Sequence, residues 1–356
     1  METRWTSVFS SGFCNSLMRL LIIGGTRFVG RHLAEIAVAR GHDVTLFHRG
    51  QTGRGLFPAA TEILGDRNDE AALAQLSGGS NGNGAGWDAT VDVSAYLPRQ
   101  VRALAAALGG RGGQQLFVST CSVYKTPVAP GFTEDAPLNE LPDPESAEFS
   151  LENYGALKVA CERLAASRYG PSTAVIRPTY VIGPYDRSYR FTWWVTRLAR
   201  GGRVLAPGDP ADPIQVIDAR DQATFAVSLL ERKQGGIYHT VSPTPPFGFG
   251  DMLEAIAARV APPGTELVWV GKDFLLGQGL DDGALPLWPG GDPESDINRA
   301  DPAAANDAGL APRPLSQTID ELQAAEAAAP TPVPEGTGLT AEREAGLLAA
   351  WAAQAS

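Results

Sequence analysis

The sequence predicts an α/β fold: a doubly wound parallel sheet followed by a smaller C-terminal substrate lobe. Three observations carry that expectation. Short apolar runs alternate with helix-like segments over residues 18–182, a glycine-rich turn follows the first run, and the alternation breaks down beyond residue 183 as Pro and Gly become more frequent. Residues 20–23 read as the first strand. Gly24-Gly25-Thr26 makes the turn, and a helix over residues 28–40 follows, with Phe28, Val29, Leu33, Ile36 and Ala37 on one face. Residues 43–47, 62–64, 89–93 and 115–119 read as further strands, and residues 101–108 have helical composition. Strands alternating with helices in this way imply right-handed crossovers. The segment SGGSNGNGAG at 77–86 reads as a flexible surface loop. A long helix over 153–169 leads to a strand at 173–177, which Pro178 ends by removing an amide donor.

Helices at 191–200, 221–231 and 250–260 read as the lobe, with some segments of 183–356 returning to the sheet. Residues 311–338 are rich in Pro and Ala, and residues 340–353 carry a capping Thr340 and apolar spacing suited to a closing helix. Residues 1–17 read as a disordered extension, because Met18 stands just before the first strand.

With 356 residues and 44% hydrophobic content the chain can bury a full core. A formal net charge of −11 argues against a phosphate-backbone partner, which needs clustered Lys and Arg, so a small-molecule partner is expected and no nucleic acid. Cys14, Cys121 and Cys161 are odd in number and lack CxxC spacing, which fits a reducing, cytoplasmic setting. The N-terminus lacks a signal-peptide pattern, and no stretch is long and apolar enough to span a bilayer, so no membrane partner is expected. His32, His42, His48 and His239 are scattered without ligand spacing, so no metal site is expected.

A glycine turn between a strand and a helix suits a pyrophosphate, held by backbone amides at the helix N-terminus. Gly24 would make the tight turn, Gly30 would let the helix pack closely on the sheet, and Thr26, Arg27, Phe28 and Val29 would line the loop. The same glycines also suit an ordinary turn. The second strand ends in Phe47-His48-Arg49-Gly50, with no carboxylate to hydrogen-bond the adenosine ribose of NAD. Arg49 therefore favours NADP(H) over NAD(H), with Arg27 as a second phosphate contact; two solvated arginines are the alternative. Asp66, beside Arg67, is placed to accept from the adenine amino group or to cap the segment after it. Val93, Ser119 and Pro178, at or just beyond the carboxyl ends of strands, complete the expected cofactor wall.

Tyr154 and Lys158 are four apart on a helical segment and project from one face. A lysine ammonium near a phenol lowers the phenol's pKa, so Tyr154 would exchange the proton that accompanies hydride transfer at a carbonyl, while Lys158 would also reach the nicotinamide ribose. Hydroxyls to orient the substrate oxygen are offered by the run Phe117-Val118-Ser119-Thr120-Cys121-Ser122-Val123-Tyr124, at the end of the fifth strand.

The chain resembles the extended and atypical short-chain dehydrogenase/reductases, the NAD-dependent epimerase/dehydratase superfamily. The matching pieces are GGTRFVG at 24–30, STCSVY at 119–124, YGALK at 154–158 and RPTYVIGP at 177–184, in the family's order. The resemblance implies a Rossmann-type dinucleotide-binding domain, a catalytic trio of Thr120, Tyr154 and Lys158 with Ser122 as substitute for Thr120, and helices beside the sheet that form a homodimer face. Two departures stand out. Arg27 replaces the family's middle glycine and resembles a subgroup that includes chloroplast RNA-binding proteins, and Pro178-Thr179-Tyr180 lacks the asparagine common in nucleotide-sugar epimerases. Aromatics in and near the lobe (Tyr96, Tyr180, Tyr185, Phe191, Trp193 and Trp194) suit an apolar or ring-containing substrate, although a pair such as Trp193-Trp194 equally suits a core. Three functions remain open: an NADP(H)-dependent oxidoreductase on a small-molecule carbonyl or alcohol, an epimerase or dehydratase, and a cofactor-binding protein without turnover.

Overall fold

The computed structural model describes residues 17–79, 84–280, 284–288 and 293–354. The expected N-terminal extension, residue 17 apart, and the middle of the 77–86 loop lie outside the described residues. The first half of the chain alternates strand and helix: β1 (Arg19–Ile23), α1 (Phe28–Ala39), β2 (Asp43–His48), β3 (Thr61–Leu64), α2 (Glu70–Ala74), β4 (Ala89–Asp92), α3 (Pro98–Leu108), β5 (Gln114–Val118), α4 (Tyr154–Tyr169) and β6 (Ala174–Arg177). Then come β7 (Tyr180–Ile182), α5 (Arg190–Ala199), β8 (Arg203–Pro207), β9 (Val216–Asp218), α6 (Ala219–Glu231), β10 (Gly236–His239) and α7 (Phe249–Val260). The chain closes through β11 (Glu266–Val270), α8 (Lys272–Gly277), α9 (Ala303–Asp307), α10 (Leu315–Ala328) and α11 (Ala341–Gln354).

Seven parallel strands form the central sheet in the order β10-β6-β5-β4-β1-β2-β3. This is a Rossmann-like doubly wound sheet. Its strand order reverses between β1 and β4, which opens a crevice at their carboxyl ends. Leu33, Ala34 and Ala37 of α1 pack with Ala223, Phe225 and Ala226 of α6 on one face, where the small side chains let the two helices lie against each other. Leu73, Leu104 and Leu108 from α2 and α3 cover the other face, together with Cys161 and Ala165 of α4.

The lobe has its own core. Phe191, Trp194 and Leu198 of α5, Phe249 and Leu253 of α7, and Ile319 and Leu322 of α10 pack with Trp288 and with the paired strands β8 and β11. Helix α10 falls in the stretch that composition marks only as rich in Pro and Ala. The prolines stand outside it, and Thr318, Ile319 and Leu322 supply its buried face, so an alanine-rich helix forms on little apolar patterning. Arg197 reaches Glu344 at 2.7 Å, and the other Glu344 oxygen accepts the Leu205 amide at 3.0 Å, which pins α11 across the lobe.

Candidate active site

At the switch point the carboxyl ends of the strands and the lobe enclose a cleft of about 630 Å³. One end is built from the glycine turn. Gly24 (φ +113°) and Gly25 (φ +90°) adopt the left-handed backbone that glycine tolerates, and the Gly24 amide donates to Phe47 O at 2.9 Å. A Cβ on Gly30 would lie 2.7 Å from the Gly25 amide nitrogen, so only glycine lets α1 start this close to the turn. No side chain caps the start of α1, which leaves its first amides facing the cleft. This cradle fits a dinucleotide's pyrophosphate.

Gly24, Thr26, Arg27, Phe28, Val29, Gly30, Arg49, Asp66, Arg67, Val93, Ser119 and Pro178 all line the cleft, as do Thr120, Tyr154, Lys158 and Tyr96. Arg49 is exposed, and Arg27 donates to Thr52 Oγ1 at 3.2 Å. Asp66 accepts from the Asn68 amide at 2.8 Å and so acts as a turn cap while also facing the cleft. Arg67 makes a bidentate pair with buried Asp92 at 2.6 and 2.9 Å, so its charge is already matched by the protein. Burial works to raise the Asp92 pKa, but Arg67, the Ser94 amide and Lys158 outweigh it and hold the carboxyl below its ordinary range.

The other end of the cleft is built from side chains. Thr120 Oγ1 accepts the Ser122 amide at 3.1 Å and donates to Ser122 Oγ at 3.1 Å, which fixes the turn after β5. Helix α4 begins against that turn: a Cβ on Gly155 would sit 1.9 Å from Ser122 O, so glycine next to Tyr154 is what permits the approach. Burial pushes the Tyr154 phenol up to about 12, with Tyr96 adding in the same direction, while a hydrogen bond with Thr120 and the charge of Arg190 act against them. The expected lowering by Lys158 is therefore not the governing influence on Tyr154. The Lys158 ammonium is bound to Val118 O at 2.6 Å and Ala95 O at 2.9 Å. Burial pushes it down to about 8, against the opposing influence of Cys161, Asp92 and Glu162.

Three sequence expectations for the substrate wall are corrected. Trp194 is fully buried in the lobe core, with its indole N–H donating to Pro286 O at 2.6 Å, because the lobe needs a large apolar centre of its own. Tyr180 packs against that core, and its ring lies 5.2 Å from the Arg190 guanidinium, so it supports a cleft residue from behind. Ser122 braces Thr120 and is not part of the cleft wall. Sequence reasoning missed Gln100, Asn68, Thr52 and Arg190 in the wall, and Phe149 beside it. These residues sit in loops or open helices, with no spacing to mark them.

A model of the NAD dependent epimerase/dehydratase family matches residues 20–241. The chain is 29% identical over 230 residues to a chloroplast stem-loop binding protein of 41 kDa (b form) from Arabidopsis thaliana, covering 61% of this chain and 56% of that one. It is 29% identical over 209 residues to the 2-alkyl-3-oxoalkanoate reductase of Stenotrophomonas maltophilia, covering 55% and 60%. These matches thus span less than two thirds of each relative's length. The structure of WbmH from Bordetella bronchiseptica in complex with NAD+ has the same fold, with a TM-score of 0.63, 18% identity and coverage of 89% and 100%.

Proposed function

The chain belongs to the NAD dependent epimerase/dehydratase family, and from that premise we propose that it is an NADP(H)-dependent oxidoreductase that reduces a small-molecule carbonyl in a reducing, cytoplasmic setting. The observation that carries this reading is the Tyr154 phenol, next to the Thr120 hydroxyl in the cleft that begins at the glycine cradle. Bound there, the nicotinamide would supply the hydride. Burial keeps Tyr154 protonated at neutral pH, so the resting site holds a proton donor, which suits carbonyl reduction. Thr120, whose Oγ1 accepts the Ser122 amide, would turn its hydroxyl proton from Ser122 Oγ to the carbonyl oxygen and so orient that oxygen towards the phenol. Lys158, held by two backbone carbonyls, puts a positive charge beneath the site for a ribose hydroxyl. Arg49 and Arg27 would take the extra phosphate of NADP.

The likeness to a reductase of oxoalkanoates favours a carbonyl substrate. The stem-loop binding likeness does not extend to RNA in this reading, since the chain carries a net charge of −11. The family match also favours a second reading, in which the same trio oxidises a substrate transiently and returns the hydride as an epimerase or dehydratase.

Calorimetric titration with NADPH and NADH tests the proposal. NADPH should bind roughly ten- to a hundredfold more tightly, and Arg49→Gln should remove most of that margin. Equal affinities would overturn the NADP(H) preference. Cofactor retained through purification would favour the epimerase or dehydratase reading.

A further inference from the structure

At the lobe side of the cleft a cation and a pair of aromatic rings flank the Tyr154 phenol, and neither is used by the proton-transfer trio. Arg190 opens α5, is exposed and lines the cleft. Its Nε donates to Ser188 Oγ at 3.1 Å and its guanidinium lies by the Tyr180 ring, but among the described residues no carboxylate is within ion-pair reach of it. The nearby carboxyl of Asp186 is buried and bound to the Ser188 hydroxyl and amide. The Arg190 charge is felt at Tyr154, where it favours the phenolate. The Arg190 charge is also felt at Asp186, but among the described residues it forms no ion pair, so a guanidinium beside the reacting phenol is free to take an anionic ligand group.

The remaining cations of the cleft are otherwise committed or distant in role. Arg67 is matched by Asp92, Lys158 is bound to two carbonyls, and Arg27 and Arg49 flank the glycine cradle. Arg190 is thus a single planar cation at the substrate end. It suits one carboxylate, whereas a sugar diphosphate would bring two charges to it. A second group meets the phenol. Tyr96 and Phe149, each 45% exposed, stand edge to face with centroids 5.5 Å apart, and they lie 6.0 and 6.1 Å from the Tyr154 ring. Aromatic rings held half open to water beside a reacting group offer apolar area that a ligand would cover.

We propose that the substrate is an oxo acid, with a carboxylate held by Arg190 and an apolar ring or chain packed on Tyr96 and Phe149. This deepens the oxidoreductase reading and rests on it for the carbonyl alone. The NADP+-saturated protein should be titrated with phenyl-capped oxo acids of increasing chain length and with their primary amides, in wild type, Arg190→Met and Phe149→Ala. Acids should bind roughly ten- to a hundredfold more tightly than amides in the wild type, and Arg190→Met should erase that difference while leaving cofactor affinity intact. Phe149→Ala should weaken the acid and the amide alike, several-fold. Equal binding of acid and amide, binding of neither, or a preference that survives Arg190→Met would overturn the proposal. So would tighter binding of a nucleotide sugar than of any oxo acid. Turnover with NADPH separates the two readings: acid selectivity without reduction removes the oxidoreductase reading and keeps the subsite, and reduction without acid selectivity does the reverse.

Discussion

The two ends of the cleft are made of different material. At the cofactor end, backbone does the work: Gly24 and Gly25 in left-handed conformations, Gly30 packed on the Gly25 amide, and uncapped amides at the start of α1. The substrate end is a wall of side chains brought together from the β4–α3 loop, the β5 turn, the start of α4 and the start of α5: Tyr96, Thr120, Tyr154 and Arg190, with Phe149 from the segment before α4 beside it. A backbone cradle tolerates few residue types at fixed spacings, whereas a side-chain wall tolerates many. The cofactor end should therefore fail through shape, and the substrate end through chemistry.

The largest expected effects separate those two modes. Tyr154→Phe should lower the rate of carbonyl reduction roughly a hundred- to ten-thousandfold while NADPH affinity stays within about twofold, because the lost group is a proton donor. Gly30→Val should abolish NADPH binding outright, since its Cβ would sit 2.7 Å from the Gly25 nitrogen, and that contact can be relieved only by shifting the backbone of the cradle. Calorimetry and steady-state rates on both variants check this. A Tyr154→Phe protein that loses the cofactor, or a Gly30→Val protein that keeps it, would break the comparison.

The same contrast explains how much the sequence disclosed. The parallel sheet was legible because alternating apolar runs and helices have few solutions, and the glycine cradle because its spacing is enforced by close approach. Tyr154 and Lys158 were legible because one helix turn fixes their relation. Arg190 and Phe149 carried no such mark, and the expected return of some of 183–356 to the sheet could not be tied to β10, since its pairing with β6 is made across a long excursion through the lobe. Trp193 and Trp194 show the limit from the other side. Composition alone cannot tell an aromatic core from an aromatic wall, and the lobe's need for its own core decided the matter.

A Trp194→Ala variant sharpens that distinction. Removing a fully buried indole should cost about 3–5 kcal/mol of stability, through the cavity it leaves, with little change in the specificity for substrate at permissive temperature. Chemical denaturation and kcat/KM measured side by side would show it. Changed substrate preference with unchanged stability would put Trp194 back in the wall.

The smallest effect, and the most diagnostic for the boundary between the two ends, is the pH response of Lys158. Burial pushes its pKa down to about 8 from 10.5, so the folded protein favours the neutral amine. Between about pH 8 and 10.5 the unfolded chain binds the extra proton, and stability at this group must rise as pH rises through that window. Cofactor binding runs the other way if the ammonium is what meets the ribose. Affinity for NADPH should then fall by about twofold near pH 8 relative to pH 7 and by no more than about tenfold for each further pH unit. Tyr154, pushed up to about 12, stays protonated throughout and cannot mimic the effect. Urea titrations and calorimetry over this range should thus give slopes of opposite sign, and Lys158→Met should flatten both. Affinity that is level through pH 8 in the wild type would mean that the Lys158 charge serves only the carbonyls of Ala95 and Val118 and takes no part in holding the cofactor.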